Sequence, residues 1–271
     1  MSNGNHVQRH VGGFVDIHCH ILPGIDDGAR DRAEAIDMAR LAQDQGTVTI
    51  VTTPHNFPRS HQSVLEESQY RVGLLSRAVA EHNLNVTLLS GQEIRITNRL
   101  KEQLESGDGV TINATRYVLT EPPFNSAPDY VYEQVEAIIA LGYRPVLAHP
   151  ERNTIIQKDP DIVRRLIAKG ALTQLNTGSL FGHYGPGSRE AGEYLLQQEM
   201  MHVIATDAHG STGNRVPNMR DGFDRVAELT DEARAWALAR DNPLAITEER
   251  DVPYRPIIGV VAAEAGGSTG S

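Results

Sequence analysis

Cysteine, aromatic residues and long apolar segments are all scarce in this sequence. The one cysteine, Cys19, excludes an internal disulfide, and aromatic residues make up only 5% of the chain. No apolar run approaches the length of a membrane span, which argues against membrane insertion. The segment before residue 14 lacks the apolar centre of a signal peptide, so the cytoplasm is the expected compartment.

Basic residues are also in short supply. The 271 residues include 25 Lys and Arg against 35 Asp and Glu, a formal net charge of -10 with histidine neutral. Nucleic-acid-binding surfaces neutralise phosphates with Lys and Arg, so this balance argues against nucleic acid as a partner. An anionic substrate would need a local cationic site.

Three common motifs are missing as well. The sequence contains no G-x-x-x-x-G-K-[ST] phosphate loop, no G-x-G-x-x-G after a predicted strand and no G-x-S-x-G nucleophile elbow. Functions that use a nucleotide cofactor or a serine nucleophile therefore lack support.

What the sequence does contain is an alternation of short β-rich apolar runs with longer amphipathic segments. This alternation predicts repeated βα units and a largely parallel sheet. The seven predicted strands are FVDIH at 14, VTIVTT at 48, VTLLSG at 86, RYVLTE at 116, RPVLAH at 144, LTQLNT at 172 and HVIATD at 202.

Amphipathic spacing predicts helices between these strands and after residue 215. The predicted helical segments include DRAEAIDMARLAQDQG, VLEESQYRVGLLSRAVAEHN, PDYVYEQVEAIIALG and DEARAWALARDNPLAITEE. No linker rich in Pro, Gly or Ser divides the middle of the chain, so one domain is the simpler organisation.

Histidine and acidic residues recur where the predicted strands end. In a parallel barrel, all carboxyl ends of the strands open on one face, where active sites lie. The candidate metal ligands near these ends are His18, His20, Asp27, His55, Glu93, Glu121, His149, Asp207 and His209. Imidazole and carboxylate without thiolate suit Zn, Mn or Fe, and nine ligands are enough for two or three ions.

Each candidate also has a structural alternative. A His-x-His pair on a strand can be a hydrogen-bonded structural pair, and a carboxylate after a strand can simply be solvated. His55 and His149 each adjoin a proline and can cap a turn. Two glutamates, Glu93 and Glu121, at equivalent places in successive units favour a shared site.

Two arginines and the cysteine complete the set of candidates. Arg152 follows His149 by three residues and Arg215 follows His209 by six, and their donor forks match phosphate. The alternative is a surface arginine paired with an acidic neighbour. Cys19 points away from its two histidine neighbours by strand alternation and is expected in the core.

The segments DIHCHILPGIDDG, TTPH, GQEI, VLTEPPF, LAHPER and TDAHG together resemble the polymerase and histidinol phosphatase (PHP) family over about residues 14 to 220. HILPGIDDG and HPER favour its branch of bacterial metal-dependent protein-tyrosine phosphatases linked to capsule and exopolysaccharide synthesis. The resemblance implies a distorted TIM-like (β/α)7 barrel, in agreement with the count of predicted strands. Residues 14–250 would form this single domain, between a flexible segment 1–13 and an extension 251–271 whose end is expected to be disordered.

The resemblance also implies three divalent ions per chain, with manganese first and iron or zinc as alternatives. It places His18, His20 and Asp207 on the first ion, with Glu93 bridging that ion to a second. Glu121 and His149 complete the second site. Asp27, His55 and His209 form the third. Arg152 and Arg215 would contact phosphate. Asp26 receives no role.

The implied reaction is hydrolysis of phosphotyrosine in a protein tail. A bacterial tyrosine kinase is the expected partner, and the resemblance is compatible with an oligomer. A hydroxide bridging two ions would attack phosphorus, without a phosphocysteine intermediate. The phenolate leaving group has a conjugate-acid pKa of about 10 and demands little protonation. His209 or a water on the third ion is the candidate proton donor.

Two other functions stay open from the sequence, and a third lacks a residue that it typically needs. A PHP phosphoesterase acting on histidinol phosphate or another small phosphomonoester would share the site. A non-catalytic regulator would keep the ligands and bind phosphate without turnover. An amidohydrolase would share His18 and His20 but typically needs a bridging lysine, where GQEI offers Glu93.

Overall fold

The computed structural model describes residues 12–58, 63–124 and 126–255. Most of the predicted flexible segment 1–13 and of the predicted extension 251–271 lies outside the described residues. Those two predictions, and the domain boundaries drawn from them, therefore stay predictions.

Parallel strands form the centre of the molecule, as the alternating pattern predicted. They make two sheets, with the orders β1-β2-β3 and β4-β5-β6-β7-β8, and every recorded strand pair is parallel. The strands are β1 Phe14–Cys19, β2 Thr47–Thr52, β3 Thr87–Ser90, β4 Glu93–Arg95, β5 Tyr117–Glu121, β6 Arg144–Ala148, β7 Leu172–Asn176 and β8 Val203–Ala205.

The structure has one strand more than predicted, because the chain after Ser90 breaks into a new strand. Gln92 lies between β3 and β4, and its side chain donates to the carbonyl of His55 at 2.9 Å and accepts from the amide of Val110 at 3.2 Å. These bonds fix the conformation of the chain where it passes from the first sheet to the second. Glu93 therefore begins β4, whereas the sequence placed it after a strand.

Helices connect most of the strands. They are α1 Arg32–Asp44, α2 Val64–Glu81, α3 Leu100–Ser106, α4 Pro128–Ala140, α5 Thr154–Lys158, α6 Asp161–Ala168, α7 Pro186–Gln197, α8 Met219–Leu229, α9 Glu232–Trp236 and α10 Asn242–Thr247. The segment predicted as a helix near residues 231–249 consists of α9 and α10 joined by one π-helical turn, Ala237–Asp241. Within the described ranges, no helix combines the length and apolarity required to cross a bilayer.

Local sequence explains where α1 begins. The Asp31 side chain accepts a hydrogen bond from the amide of Glu34 at 3.0 Å, which satisfies one of the unpaired donors of the first turn. Ala35, Ile36 and Ala39 then recur at helical spacing and are buried against the first sheet. The helix thereby fixes the far end of the β1–α1 loop.

The strands of both sheets bury side chains on two faces. Val146 and Ala148 belong to an apolar cluster that also contains Val15 and Leu119, whereas Leu147 faces the helices. Strands from the two sheets thus share one interior. Beyond β8, the amide of His20 donates to the carbonyl of Ala208 at 2.8 Å, so the end of β1 joins the chain that follows β8.

Candidate metal centre

The carboxylate of Glu93 lies at the centre of the predicted ligands. Its Oε1 is 3.0 Å from His149 Nε2, and its Oε2 is 3.4 Å from the Nε2 atoms of both His18 and His20. Oε2 also lies 3.1 Å from His55 Nδ1. Side chains that lie in or after β1, β2, β4 and β6 therefore meet at one carboxylate.

Asp207 provides a second buried carboxylate on the same side. Its Oδ1 lies 3.2 Å from His18 Nε2, 3.5 Å from His20 Nε2 and 3.5 Å from His209 Nδ1. The residue follows β8 and is 1% exposed. It brings the last strand into the same cluster as the first.

Three groups of side chains are close enough to hold metal ions. Within each group, the ligand atoms lie within 4.8 Å of one another. The first group is His20, Asp27, His55 and His209. The second is His18, Glu93 and His149, and the third is His18, His20 and Asp207. The first group is the most open, because the Asp27 side chain is 60% exposed. It lies at the edge of the site.

Glu121 is less closely joined to this cluster. Its Oε1 is 4.0 Å from His149 Nε2, and its Oε2 accepts a hydrogen bond from Arg95 Nε at 3.0 Å. The structure brings the other eight predicted ligands into the three groups and leaves Glu121 beside them.

The donor set fits divalent transition ions. The Nδ1 atom of His18 lies 2.9 Å from Gln174 Oε1, and that of His20 lies 2.8 Å from Asp26 Oδ2, so both donate to oxygen. The two Nε2 atoms lie 3.2 Å apart, so both rings direct their second nitrogen to the same place. A divalent cation there would take the place of ring protons, and imidazole with carboxylate is a preferred donor set for such ions.

The charges of the cluster support the same conclusion. Burial raises the pKa of the Glu93 carboxyl, but nearby His18 and His149 outweigh burial and hold that pKa well below its usual range. The pKa of Asp207 is lowered in the same way, against burial, with His18 as the largest opposing influence. Burial lowers the pKa of His20, yet Asp26 and Glu93 raise it to about 10. Both carboxylates are thus ionised, as metal ligands must be.

Three polar residues orient the ligands and were not assigned a role from the sequence. Asp26 accepts from His20 as described and also from the amide of His55 at 3.0 Å. Gln174 holds His18, and Asn176 Nδ2 donates to Asp207 Oδ2 at 2.7 Å. The sequence did carry a signal for the last two, since they are alternate polar positions within the buried strand β7.

Two of the ligands occupy an unusual backbone conformation. His149 has φ of 32° and Asp207 has φ of 50°, in the left-handed region that residues other than glycine seldom adopt. His149 directly follows β6 and Asp207 lies two residues after the end of β8, and both side chains reach the cluster. Such conformations concentrate at functional sites.

Both predicted arginines converge on Asp207. Arg152 Nη1 donates to Asp207 Oδ2 at 2.9 Å, and Arg215 Nη2 lies 3.3 Å from both carboxylate oxygens. The guanidinium of Arg152 lies 4.1 Å from the ring centre of Tyr184 and 5.5 Å from that of Phe124. Tyr184, which lies between β7 and α7, was not predicted from the sequence.

Cys19 lies apart from this chemistry, as predicted. It is fully buried with apolar neighbours that include Ile21 and Leu22, and its Sγ lies 3.8 Å from the carbonyl of Ala208. Burial raises the pKa of the thiol well above its usual value. A neutral, enclosed thiol is a poor nucleophile.

The fold and the site together define a class of protein, a parallel α/β protein with a histidine–carboxylate centre and two arginines at the carboxyl ends of its strands. Residues 14–248 match the family described as Capsular polysaccharide synthesis, CpsB/CapC. The chain belongs to this CpsB/CapC family, which confirms the branch that the sequence motifs favoured.

Named relatives of the chain are bacterial phosphatases. The tyrosine-protein phosphatase YwqE of Bacillus subtilis is 37% identical over 196 residues, which cover 72% of this chain and 77% of that protein. The putative tyrosine-protein phosphatase CapC of Staphylococcus aureus is 33% identical over 239 residues, or 88% of this chain and 92% of that protein.

A solved structure is similar along most of the chain. It belongs to work described as crystal structures of YwqE from Bacillus subtilis and CpsB from Streptococcus pneumoniae, unique metal-dependent tyrosine phosphatases. The TM-score is 0.82 at 31% sequence identity, and the match covers 90% of this chain and 99% of the solved one.

Proposed function

We propose that this protein is a metal-dependent protein-tyrosine phosphatase. The observation that carries the proposal is the convergence of Arg152 and Arg215 on the edge of a buried histidine–carboxylate cluster. Guanidinium forks match phosphate geometry, and the cluster offers the donors that divalent ions prefer. The metal-dependent tyrosine phosphatases to which the chain is similar support the same activity.

The proposed cofactors are three divalent ions, manganese in the first place, held by the nine predicted ligands. When bound, such ions offset negative charge on phosphoryl oxygens and lower the pKa of water. Glu93, with contacts to four histidines, suits a bridging position. Glu121 would have to exchange its bond with Arg95 for a place in the second site.

The two arginines bind and orient the phosphoryl group in this proposal. Without substrate they share Asp207, and the rings of Tyr184 and Phe124 beside Arg152 limit the movement of its guanidinium. Their positive charge offsets the charge on the phosphoryl oxygens as the ester bond breaks.

His209 is better suited to a ligand role than to proton donation. Its Nδ1 donates to the carbonyl of Asp207 at 2.8 Å, and its Nε2 accepts from Arg215 Nη2 at 2.8 Å. Burial and the charge of His20 lower its pKa to about 4. A neutral ring with a lone pair on Nε2 binds metal, whereas it has no proton to give on that side.

Phosphotyrosine is the proposed substrate because aromatic rings stand beside the phosphate-binding arginine. Phe124 also stacks against His149, with ring centres 6.2 Å apart. A phenyl leaving group can pack against Phe124 and Tyr184, whereas a short alkyl group gains little there. The tail of a bacterial tyrosine kinase is the proposed protein substrate, in the cytoplasm.

A substrate panel tests the proposal. Phosphotyrosine peptide, histidinol phosphate and glycerol phosphate are compared for phosphate release with added Mn²⁺, after a chelator and after Mn²⁺ is restored. We expect the peptide to be the fastest substrate, the chelator to abolish turnover and Mn²⁺ to restore it. Preference for the alkyl esters would favour the small-molecule phosphoesterase, and binding of phosphate without turnover would favour the regulator.

We further propose that the two sheets form one distorted barrel. The shared interior around Val146 and Leu119 and the hydrogen bond from His20 to Ala208 support this arrangement. A barrel would explain why the first and last strands both contribute to the site.

A further inference from the structure

A second cavity lies at the opposite end of the strands from the metal ligands. It has a volume of about 230 Å³ and is bordered by Tyr117 of β5, Arg144 of β6 and Leu172 of β7, each the first residue of its strand. Because the strands are parallel, this end is remote from the side of the sheet where His149 follows β6 and Asp207 lies after β8.

His202 is one of the residues that line this cavity. The residue is 3% exposed, and its Nδ1 accepts from the amide of Thr173 at 3.2 Å. Burial, with the charges of Arg144 and Arg255, lowers its pKa to about 3, so the ring is neutral. Because Nδ1 accepts from an amide, the ring proton lies on Nε2. Among the residues that the structure describes, Nε2 has no hydrogen-bond partner.

The arginines around the cavity have fewer carboxylate partners than positive charges. Arg144 donates to the carbonyl of Gly170 at 3.1 Å, and no carboxylate of the described part of the chain lies within ion-pair distance of it. Arg255 pairs with Asp251 at 3.3 Å, but Asp251 also pairs with Arg116 at 2.6 Å. In a protein with a net charge of -10, this concentration of guanidinium groups requires an explanation.

We propose that this cavity is a binding site for a small phosphate-bearing anion, held by Arg144, Arg255 and the Nε2–H group of His202. The side-chain groups that remain available are hydrogen-bond donors, and phosphate accepts from several donors at once. Ile167 and Val252 supply an apolar lining that would suit an organic portion of the ligand. The site does not depend on the phosphatase activity.

The test is an NMR titration of the isotope-labelled full-length protein with inorganic phosphate. We expect saturable shifts of the His202 ring nitrogens and of the Gly170 and Leu172 amides. Because these nuclei lie at the cavity, they report on it separately from the catalytic site. Arg144→Gln and Arg255→Gln should each weaken the binding by about tenfold or more, since each removes a charged hydrogen bond.

Arg40→Gln is the matched control, because it removes the same charge from α1, where Arg40 pairs with Asp37. It should leave the titration unchanged, and circular dichroism checks that all variants fold. A parallel titration uses phenylphosphonate, which cannot be hydrolysed as an ester. It distinguishes an organic phosphate from free inorganic phosphate as the ligand. Tighter binding of phenylphosphonate indicates an organic phosphate, and tighter binding of phosphate indicates the free ion.

Either preference supports the site. The proposal is overturned if neither anion produces saturable shifts at His202, or if both cavity variants bind with wild-type affinity.

Discussion

Glu93 shows how much of the proposed metal chemistry depends on one side chain. Its two oxygens lie within 3.4 Å of nitrogen atoms of His18, His20, His55 and His149. A buried carboxylate is stable only when it is paired or bound to metal, and here four imidazoles provide that environment. The same arrangement makes each histidine sensitive to the loss of Glu93.

Cys19→Ser tests the assignment of Cys19 to the core. We expect turnover per folded molecule to be unchanged, because the thiol is enclosed on the apolar side of β1 and its pKa is raised by burial. The buried hydroxyl should cost stability by about 1 kcal/mol. Phosphatase assays and urea unfolding provide the two measurements.

His20→Ala is the comparison for Cys19→Ser, because His20 is the adjacent residue and its side chain faces the metal ligands. This variant should lose activity. If folded Cys19→Ser lost its turnover, the assignment of the attack to metal-activated water would be wrong.

The β1–α1 loop is the element that brings Asp26 and Asp27 to the site. Gly28 lies against the backbone of His20 so closely that an added Cβ would be 2.0 Å from the His20 carbonyl oxygen. The Gly28 amide also donates to Asp26 Oδ1 at 3.0 Å. The loop can fold back onto β1 only because this position has no side chain.

Gly28→Ala should therefore displace the loop from His20. We expect a loss of about 1–3 kcal/mol in the free energy of unfolding, as for other overpacked positions. Metal affinity should fall by about 10–100-fold, because Asp26 would no longer orient His20. Urea unfolding and a Mn²⁺ titration provide the two measurements.

Gly73→Ala is the control for this loop variant. Gly73 lies within α2, and an added Cβ there would meet nothing within 4 Å. This change should leave metal affinity unchanged and gain up to about 1 kcal/mol of stability. Equal metal affinity in the two glycine variants would contradict the close fit of the loop.

At the scale of the whole molecule, the candidate site joins the two sheets. The histidines in or after β1 and β2 come from one sheet, whereas Glu93, His149 and Asp207 lie in or after strands of the other. The ligands come from separate sheets, and the unfolded chain does not hold them together. Metal binding should therefore stabilise the folded protein as a whole.

Metal removal should consequently lower the unfolding temperature. With free Mn²⁺ at 100 times its dissociation constant, binding adds about 2.7 kcal/mol to the free energy of unfolding. Differential scanning calorimetry with chelator and with Mn²⁺ measures the effect. His20→Ala and Glu93→Gln should reduce both the Mn²⁺-dependent rise and the turnover.

Arg40→Gln should keep the full rise, because Arg40 is exposed on α1 and pairs with Asp37 and not with a metal ligand. An unfolding temperature that is independent of Mn²⁺ in the wild type would contradict a metal site that joins the sheets.

Much of this architecture follows from local patterns. Short apolar runs such as RPVLAH and helical spacing in DRAEAIDMARLAQDQG predicted the strands, most helices and the parallel order. The break at Gln92 was not predictable, because it depends on bonds to His55 and Val110, which are distant in the sequence.

The sequence by itself determined which side chains are available at the strand ends, because position in a βα unit decides which end of the sheet a residue reaches. It also determined that Cys19 faces away from His18 and His20, since alternation is a local property of a strand. Only the tertiary structure decided which ligands touch. Distances such as the 3.0 Å between Glu93 and His149 depend on the packing of separate strands, and no local pattern encodes them.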